Sequence, residues 1–289
     1  MQALLATSFA ENADAFNPGD TFEDLSDTPS LKATLASPEK DRWVTAIRSE
    51  LDNIKAEDVY DLVDPKNERI DNLLGNKIIL RRKWGASSNV ERYKACFMAQ
   101  GDHQCESIDF KETFTPIVKS ASLRVFFTLC ARLCYNICHM DLTSAFLNGT
   151  LNETVYMRQL KGFEAHGKGG WVWKLKKALY GLKQGGREWY HCIDNFLTNS
   201  LGLTRTFTDH SVYIYECRDS VILIPLYVDG LIGYHNNSEM EWIKSSLECH
   251  FKMVDAGPAS WVLGMWITND PSNGHITLDQ TQYVLKVVE

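Results

Sequence analysis

At 289 residues the chain is long enough to bury a substantial core and to hold one large domain or two smaller ones. A formal charge of −7 argues against a uniformly basic nucleic-acid binder, and no apolar run approaches the roughly 18 residues that a membrane span needs. Eight cysteines, scattered with no export signal before them, read as reduced thiols of an intracellular protein.

The charge is unevenly placed. Residues 1–58 carry twelve acids and five bases, which is the whole imbalance, so residues 59–289 are formally neutral and can hold a local basic surface. Residues 1–37 are acidic and aperiodic, and read as a flexible leader. Ser37 then looks like an N-cap with Pro38 at the first helical position, followed by Trp43, Ile47, Leu51 and Ile54 at helical spacing. Short strands are expected at residues 59–63, 77–80 and 92–101, and an extended piece at 114–118.

A helix is predicted from Ala121 to Tyr135, and then a strand that carries Asp141 between Met140 and Leu142. A carboxylate on such a strand is costly unless it is paired or binds metal, and both readings stay open. Asn148-Gly149 reads as a hairpin turn. Cys130, Cys134, Cys138 and His139 resemble a metal cluster in composition, but the predicted change from helix to strand takes Cys138 off the helical face.

Residues 158–191 hold eight bases against two acids, with Phe163, Trp171, Trp173, Tyr180, Trp189 and Tyr190 interleaved. Such a mixture suits either a surface that grips phosphates and stacks on bases or an amphipathic helix with a buried aromatic face. Residues 175–201 read as largely helical, interrupted near Gly181 and Gly185-Gly186, and a strand is expected from Asp209 to Glu216. Two apolar runs between Val221 and Tyr234 flank Asp229-Gly230, a strong signal for a tight hairpin. Asp229 is then either an ordinary turn residue or a carboxylate held at the tip of a site. A helix over residues 239–251, a hairpin around residues 270–274 and a helix from Thr281 complete the chain.

Several segments together resemble the copia-type reverse transcriptase of long-terminal-repeat retrotransposons. They are Val90–Ala95, Asp109–Val118, Met140–Gly149, Val155–Met157, Lys174–Gln184, Tyr227-Val228-Asp229 and Leu263–Met265, in the family's order and spacing. The resemblance implies an α+β right-hand polymerase over residues 38–289, with fingers and palm to about residue 250 and the start of a thumb at about residues 251–289. It implies an RNA template, a DNA primer, deoxynucleoside triphosphates and two magnesium ions, which manganese can replace, with no membrane. Asp141 and Asp229 match the catalytic, metal-binding aspartates. Phe146 matches the aromatic steric gate, Gln184 a glutamine on the incoming nucleotide, and Lys94 a basic fingers residue near the triphosphate. Lys174, Lys176, Lys177, Lys183 and Arg187 fall along the template and primer.

Four departures stand out. Gly230 takes the place of the second acid of Tyr-x-Asp-Asp, Lys83–Asn89 is short for the fingers hairpin, Cys96 replaces an arginine, and Gly185-Gly186 replace Ala-Pro. Loss of a carboxylate from a two-metal site weakens charge neutralisation, so low or absent polymerase activity is expected. A nucleic-acid-binding remnant without catalysis is the alternative.

Overall fold

The computed structural model describes residues 28–84, 90–218, 220–227 and 230–288. The chain divides into two compact units, one of Met1–Phe114 with Phe146–Trp189 and one of Thr115–Ala145 with Tyr190–Glu289.

The first unit opens with α1 (Leu31–Leu35), capped by Ser30, whose Oγ accepts the Ala33 N–H. α2 (Lys40–Ala56) comes after it, with Glu39 and not Ser37 at its N-cap. The Ser37 hydroxyl donates to the Thr34 carbonyl at 2.8 Å. It closes the preceding helix, whose last carbonyls need donors, and so cannot serve as the expected cap. Residues 31–35 thus form a helix inside the span whose composition suggests a leader.

β1 (Tyr60–Val63), β2 (Leu73–Leu74), β3 (Asn76–Trp84) and β4 (Val90–Ala99) come next. The chain then enters the second unit as α3 (Ser120–Arg132) and β5 (Asn136–Leu142), and returns as β6 (Thr150–Arg158) and β7 (Val172–Lys177). β1, β7, β6 and β2 form one sheet in that order, while β3 and β4 pair as an antiparallel hairpin. Trp43, Ile47 and Ile54 of α2 are fully buried with Phe97, Leu80, Val155, Met157 and Trp173, as the helical spacing of the first three predicts. Each such side chain contributes about 1.5–3 kcal/mol on burial, set against ~1–2 kcal/mol per residue for ordering the backbone.

Two further expectations fail in this unit. Residues 172–177 form a strand, although the sequence pattern suggests helix from residue 175. Val172↔Val63 and Leu175↔Tyr60 pair across β7 and β1, with Trp173 and Leu175 buried and Lys174 and Lys176 turned outward. Helix begins only at α4 (Gly185–Asn195), which runs into a π-helical turn at Phe196–Ser200. Asn148-Gly149 does not turn a hairpin, because β5 pairs with other strands and a 3-10 turn at Ala145–Asn148 precedes β6. Gly149 is required by close approach: an added Cβ would lie 2.7 Å from the Glu188 carbonyl carbon.

In the second unit β8 (Thr204–Arg205), β9 (Val212–Glu216), β10 (Val221–Pro225), β11 (Gly230–Tyr234) and, after α5 (Asn237–His250), β12 (Met253–Pro258) join β5. The sheet order is β12-β5-β11-β10-β9-β8, antiparallel throughout. α3 covers one face through Phe126 and Cys130, which sit directly against Gly233. α5 covers the other, with Met240 Sδ 3.6 Å from Cys138 Sγ. β9 starts at Val212 and not at Asp209, because the Asp209 carboxylate is used locally: it accepts the Lys119 N–H at 2.8 Å and the Ser211 N–H at 3.1 Å. A meander of β13 (Trp261–Val262), β14 (Met265–Asp270) and β15 (His275–Asp279) precedes α6 (Thr281–Val288).

α3 ends at Arg132, three residues earlier than expected, where Cys134 takes a left-handed φ of 54°. Cys130 is buried on the sheet-facing side of α3, Cys134 is exposed and Cys138 faces α5. Among the described residues no group of three or more His, Cys, Asp or Glu is placed to hold a metal.

Candidate active site and nucleic-acid interface

β5 is the strand on which the second unit's chemistry rests. Its burial alternates: Cys138, Met140 and Leu142 are buried, whereas His139 and Asp141 are half-buried. Successive strand residues point to opposite faces, so His139 and Asp141 share one face and Met140 lies on the other. Burial lowers the His139 pKa, against an opposing pull from the Asp141 carboxylate. Asp141 is therefore less enclosed than its apolar neighbours suggest, and a hard carboxylate oxygen donor is present at the end of a fixed strand.

β10 and β11 form the expected antiparallel pair, with Leu223 opposite Gly233. Leu226 bridges Gly230, and Gly230 is the first residue of β11. Gly230 pairs with Met140, and a Cβ added to it would meet Met140 Cε at 2.3 Å, Leu226 Cδ1 at 3.6 Å and Ile224 Cγ2 at 3.7 Å. The side chain missing at residue 230 thus belongs to Met140's face of the sheet, not to that of Asp141. Asp229 lies outside the described residues.

In the first unit the segment Tyr180–Gln184 is clamped to the end of β4. The Ala99 N–H donates to the Tyr180 carbonyl at 2.8 Å, and Gly181 and Gly101 come too close for side chains. Gln184 is 1% exposed, and both ends of its amide are engaged. Its Nε2 donates to the Asp109 carbonyl at 2.8 Å, and its Oε1 accepts from Gln104 Nε2 at 2.9 Å. Gln104 Oε1 in turn accepts the Lys183 N–H at 2.8 Å. The Asp109 carboxylate accepts from Asn72 Nδ2 at 2.6 Å and from the Cys105 N–H at 2.8 Å. Sequence reasoning missed Gln104 and Asn72, since a polar residue within a loop carries no periodic signal.

Phe146 is buried, packs edge-on against Tyr180 at 5.3 Å between ring centroids, and lies 3.6 Å from where a Cβ on Gly185 would be. The structure therefore brings Phe146 together with the turn that holds Gln184. Lys94 is half-buried in β4 opposite Arg81, five residues before Ala99 and so about 17 Å along the strand from the clamped segment.

The five bases expected along template and primer all have partners within the chain. Lys174 Nζ lies 3.0 Å from Glu68 Oε2, an oxygen that also accepts the Tyr156 hydroxyl at 2.6 Å. The Tyr156 hydroxyl and then Lys174 hold the Glu68 carboxyl below its usual range. Lys176 is paired with Asp58 and Asp61, which raise its pKa in that order. Lys177 Nζ donates to the Glu57 carbonyl at 2.7 Å. Lys183 Nζ donates to the Gln104 carbonyl at 3.2 Å and sits 4.9 Å above the Phe110 ring. Arg187 contacts Glu188 at 2.7 Å and Glu112 at 3.7 Å. No helix among the described residues is long and apolar enough to cross a membrane.

A family model described as reverse transcriptase (RNA-dependent DNA polymerase) matches residues 57–289. The Retrovirus-related Pol polyprotein from transposon TNT 1-94 of Nicotiana tabacum is 36% identical over 263 residues, covering 90% of this chain and 20% of its own length. The Retrovirus-related Pol polyprotein from transposon RE1 of Arabidopsis thaliana is 30% identical over 258 residues, 89% of this chain and 17% of its own. The Transposon Ty1-BL Gag-Pol polyprotein of Saccharomyces cerevisiae is 26% identical over 207 residues, 69% and 11% respectively. The chain spans a fifth or less of the length of these relatives.

Proposed function

From a chain that belongs to the copia-type reverse transcriptase family, we propose template-directed DNA synthesis as the reaction its site is built for. Fingers and palm would occupy about residues 38–250, the palm resting on the sheet that carries Asp141. The observation that carries the proposal is Asp141, half-buried at the end of β5 and one residue beyond the Met140–Gly230 pair. Asp229 directly precedes Gly230, the first residue of β11, and β11 is the strand that pairs with β5.

Magnesium is bound through one or two carboxylates together with substrate phosphates, so Asp141 with Asp229 is an adequate donor set. When bound, the ions supply charge neutralisation at the phosphates and lower the pKa of the primer 3′-hydroxyl. The protein's part is to fix the carboxylates on a rigid strand and to shape the nucleotide's surroundings. Phe146, held by Tyr180, would close the sugar side of the nucleotide. Gln184 would act through the backbone it anchors, since its amide is already spent on Gln104 and Asp109. Lys94 would approach the triphosphate from the β3–β4 hairpin. Lys174, Lys176, Lys177, Lys183 and Arg187 would order the primer-side segment, since each must give up an internal partner to hold a phosphate.

Gly230 reduces activity in this reading, but in part only, because the missing side chain lies on Met140's face. Primer extension on an RNA template with magnesium or manganese tests it. Deoxynucleotide incorporation that is lost in Asp141→Asn supports the assignment. Salt-dependent binding of an RNA–DNA hybrid without any incorporation would leave the binding remnant as the function.

A further inference from the structure

A cavity of about 640 Å³ opens in the first unit between α2 and the segment joining β6 to β7. One wall is a single face of α2, on which Lys40, Val44, Arg48, Leu51 and Lys55 recur at helical spacing. The floor is aromatic. Tyr60 and Trp173 stack 3.8 Å apart and 5° from parallel, and Phe163 lines the same space. Gln159, Gly162 and Ala165 make the opposite wall.

Lys40, Arg48 and Lys55 are exposed and form no ion pair among the described residues. At a helical rise of ~1.5 Å per residue they span about 22 Å along the groove, spaced ~12 and ~10 Å apart. This is the reverse of β7, where Lys174 and Lys176 are paired with acids of the chain. Two acids share the lining. Glu164 is turned to the backbone, accepting the Gly162 N–H at 2.9 Å. Asp52 lies close enough to Tyr60 to be felt by its phenol, whose pKa is raised by burial first and by that carboxylate second.

We propose that this groove binds single-stranded nucleic acid, with Lys40, Arg48 and Lys55 on successive stretches of phosphate backbone and the bases against Tyr60 and Phe163. A row of cations beside an aromatic floor is what an unpaired strand can use, since its bases are free to leave their stack. A duplex keeps its bases inside and gains nothing from the floor. Asp52 fits a hydrogen-bond donor on the edge of a base, which an unpaired strand leaves open. α2 precedes residue 57, where the match to the family model begins, although the alignments with the TNT 1-94 and RE1 polyproteins are long enough to include it. The site uses neither Asp141 nor Gln184, and its test does not depend on polymerase activity.

The experiment measures fluorescence anisotropy of a labelled short oligothymidylate with the full chain across a salt series. Each phosphate contact to a single strand adds ~0.7 to the slope of log affinity against log salt. Lys40→Gln/Arg48→Gln/Lys55→Gln is expected to lower the slope by about 2 and to weaken low-salt binding at least ~tenfold. Lys66→Gln/Lys77→Gln/Arg218→Gln removes the same charge from exposed positions elsewhere and is expected to leave the slope unchanged. Equal losses in both variants, no binding by the parent chain, or equal competition by an acidic oligoglutamate peptide would each overturn the proposal. A photo-crosslink from bromouridine in the oligonucleotide to the parent chain provides a check free of folding effects. Adducts within residues 40–60 or 159–173 support the groove, and adducts confined elsewhere refute it.

Discussion

Gly230→Asp puts the family's second acid back, and the register between β5 and β11 determines its effect. A Cβ there meets Met140 Cε at 2.3 Å, with Leu226 and Ile224 next nearest. Met140's methyl is the end of a flexible chain and can swing aside. Gly230→Ala is therefore expected to change stability by less than about 1 kcal/mol, the small overpacking cost being offset by the entropy glycine loses on folding. Aspartate adds a carboxylate among three apolar side chains, and an uncompensated buried charge costs several kcal/mol after relaxation. Because residue 230 stands at the strand's first position, water relieves part of that, and a loss of about 2–3 kcal/mol is expected in chelator. For a chain of this size that lowers the melting temperature by roughly 5–10 °C. Since the new carboxylate shares Met140's face, nucleotide incorporation should rise by less than about tenfold, equivalent to ~1.4 kcal/mol at the transition state. Thermal melts in chelator and single-turnover primer extension read the two quantities. A variant as stable as the parent, or a hundredfold gain in turnover, would refute the face assignment.

Asp141→Asn keeps the shape of the strand and removes the charge, so incorporation should fall by about 100- to 1,000-fold in a single-turnover assay while the fold is kept. Gln104→Leu strands the buried Gln184 Oε1, worth ~1–3 kcal/mol when unsatisfied, and frees the part-buried Lys183 N–H, so urea titration should show a loss of about 1–4 kcal/mol. Lys174→Gln/Lys176→Gln should leave the salt slope for an RNA–DNA hybrid nearly unchanged, whereas two true phosphate contacts would lower it by nearly 2. The Glu39 carboxyl is held below its ordinary value of 4.5 by the Tyr93 hydroxyl and then by Arg82. Its contribution is complete above that value and is lost as pH falls through the lower folded pKa. Glu39→Gln should therefore cost about 0.5–1 kcal/mol near neutrality, and its melting curve should converge with the parent's in acid below about pH 4.

Elements with a full apolar stripe are legible from the residues. Trp43, Ile47 and Ile54 define α2, and the apolar runs around residue 229 define the β10–β11 pair. β7 escapes because the alternation of Trp173, Lys174, Leu175 and Lys176 is only four residues long and runs into a helix-like sequence. A period of two over so short a span is decided by pairing with β1 and β6, which local pattern does not carry. Ser37 satisfies the sequence rule for an N-cap, yet the Thr34 carbonyl at the end of α1 competes for its hydroxyl. Around the site, residue types reveal Asp141, but not the face it occupies or the commitment of Gln184 to Gln104. Facing is set by register, and commitment by a contact spanning 80 positions.

The packing of α3 onto Gly233 makes Cys130 a built-in clock for the opening of this helix. Burial pushes the Cys130 thiol up to about 12, so hardly any thiolate exists there at neutral pH while the helix stays docked. Cys134, only four positions along, is exposed and reacts without such opening. The ratio of alkylation rates at the two thiols then measures how often α3 lifts from β11, in a population where the chain remains otherwise folded. Agents that grip the sheet from its far side should slow the first rate and leave the second alone.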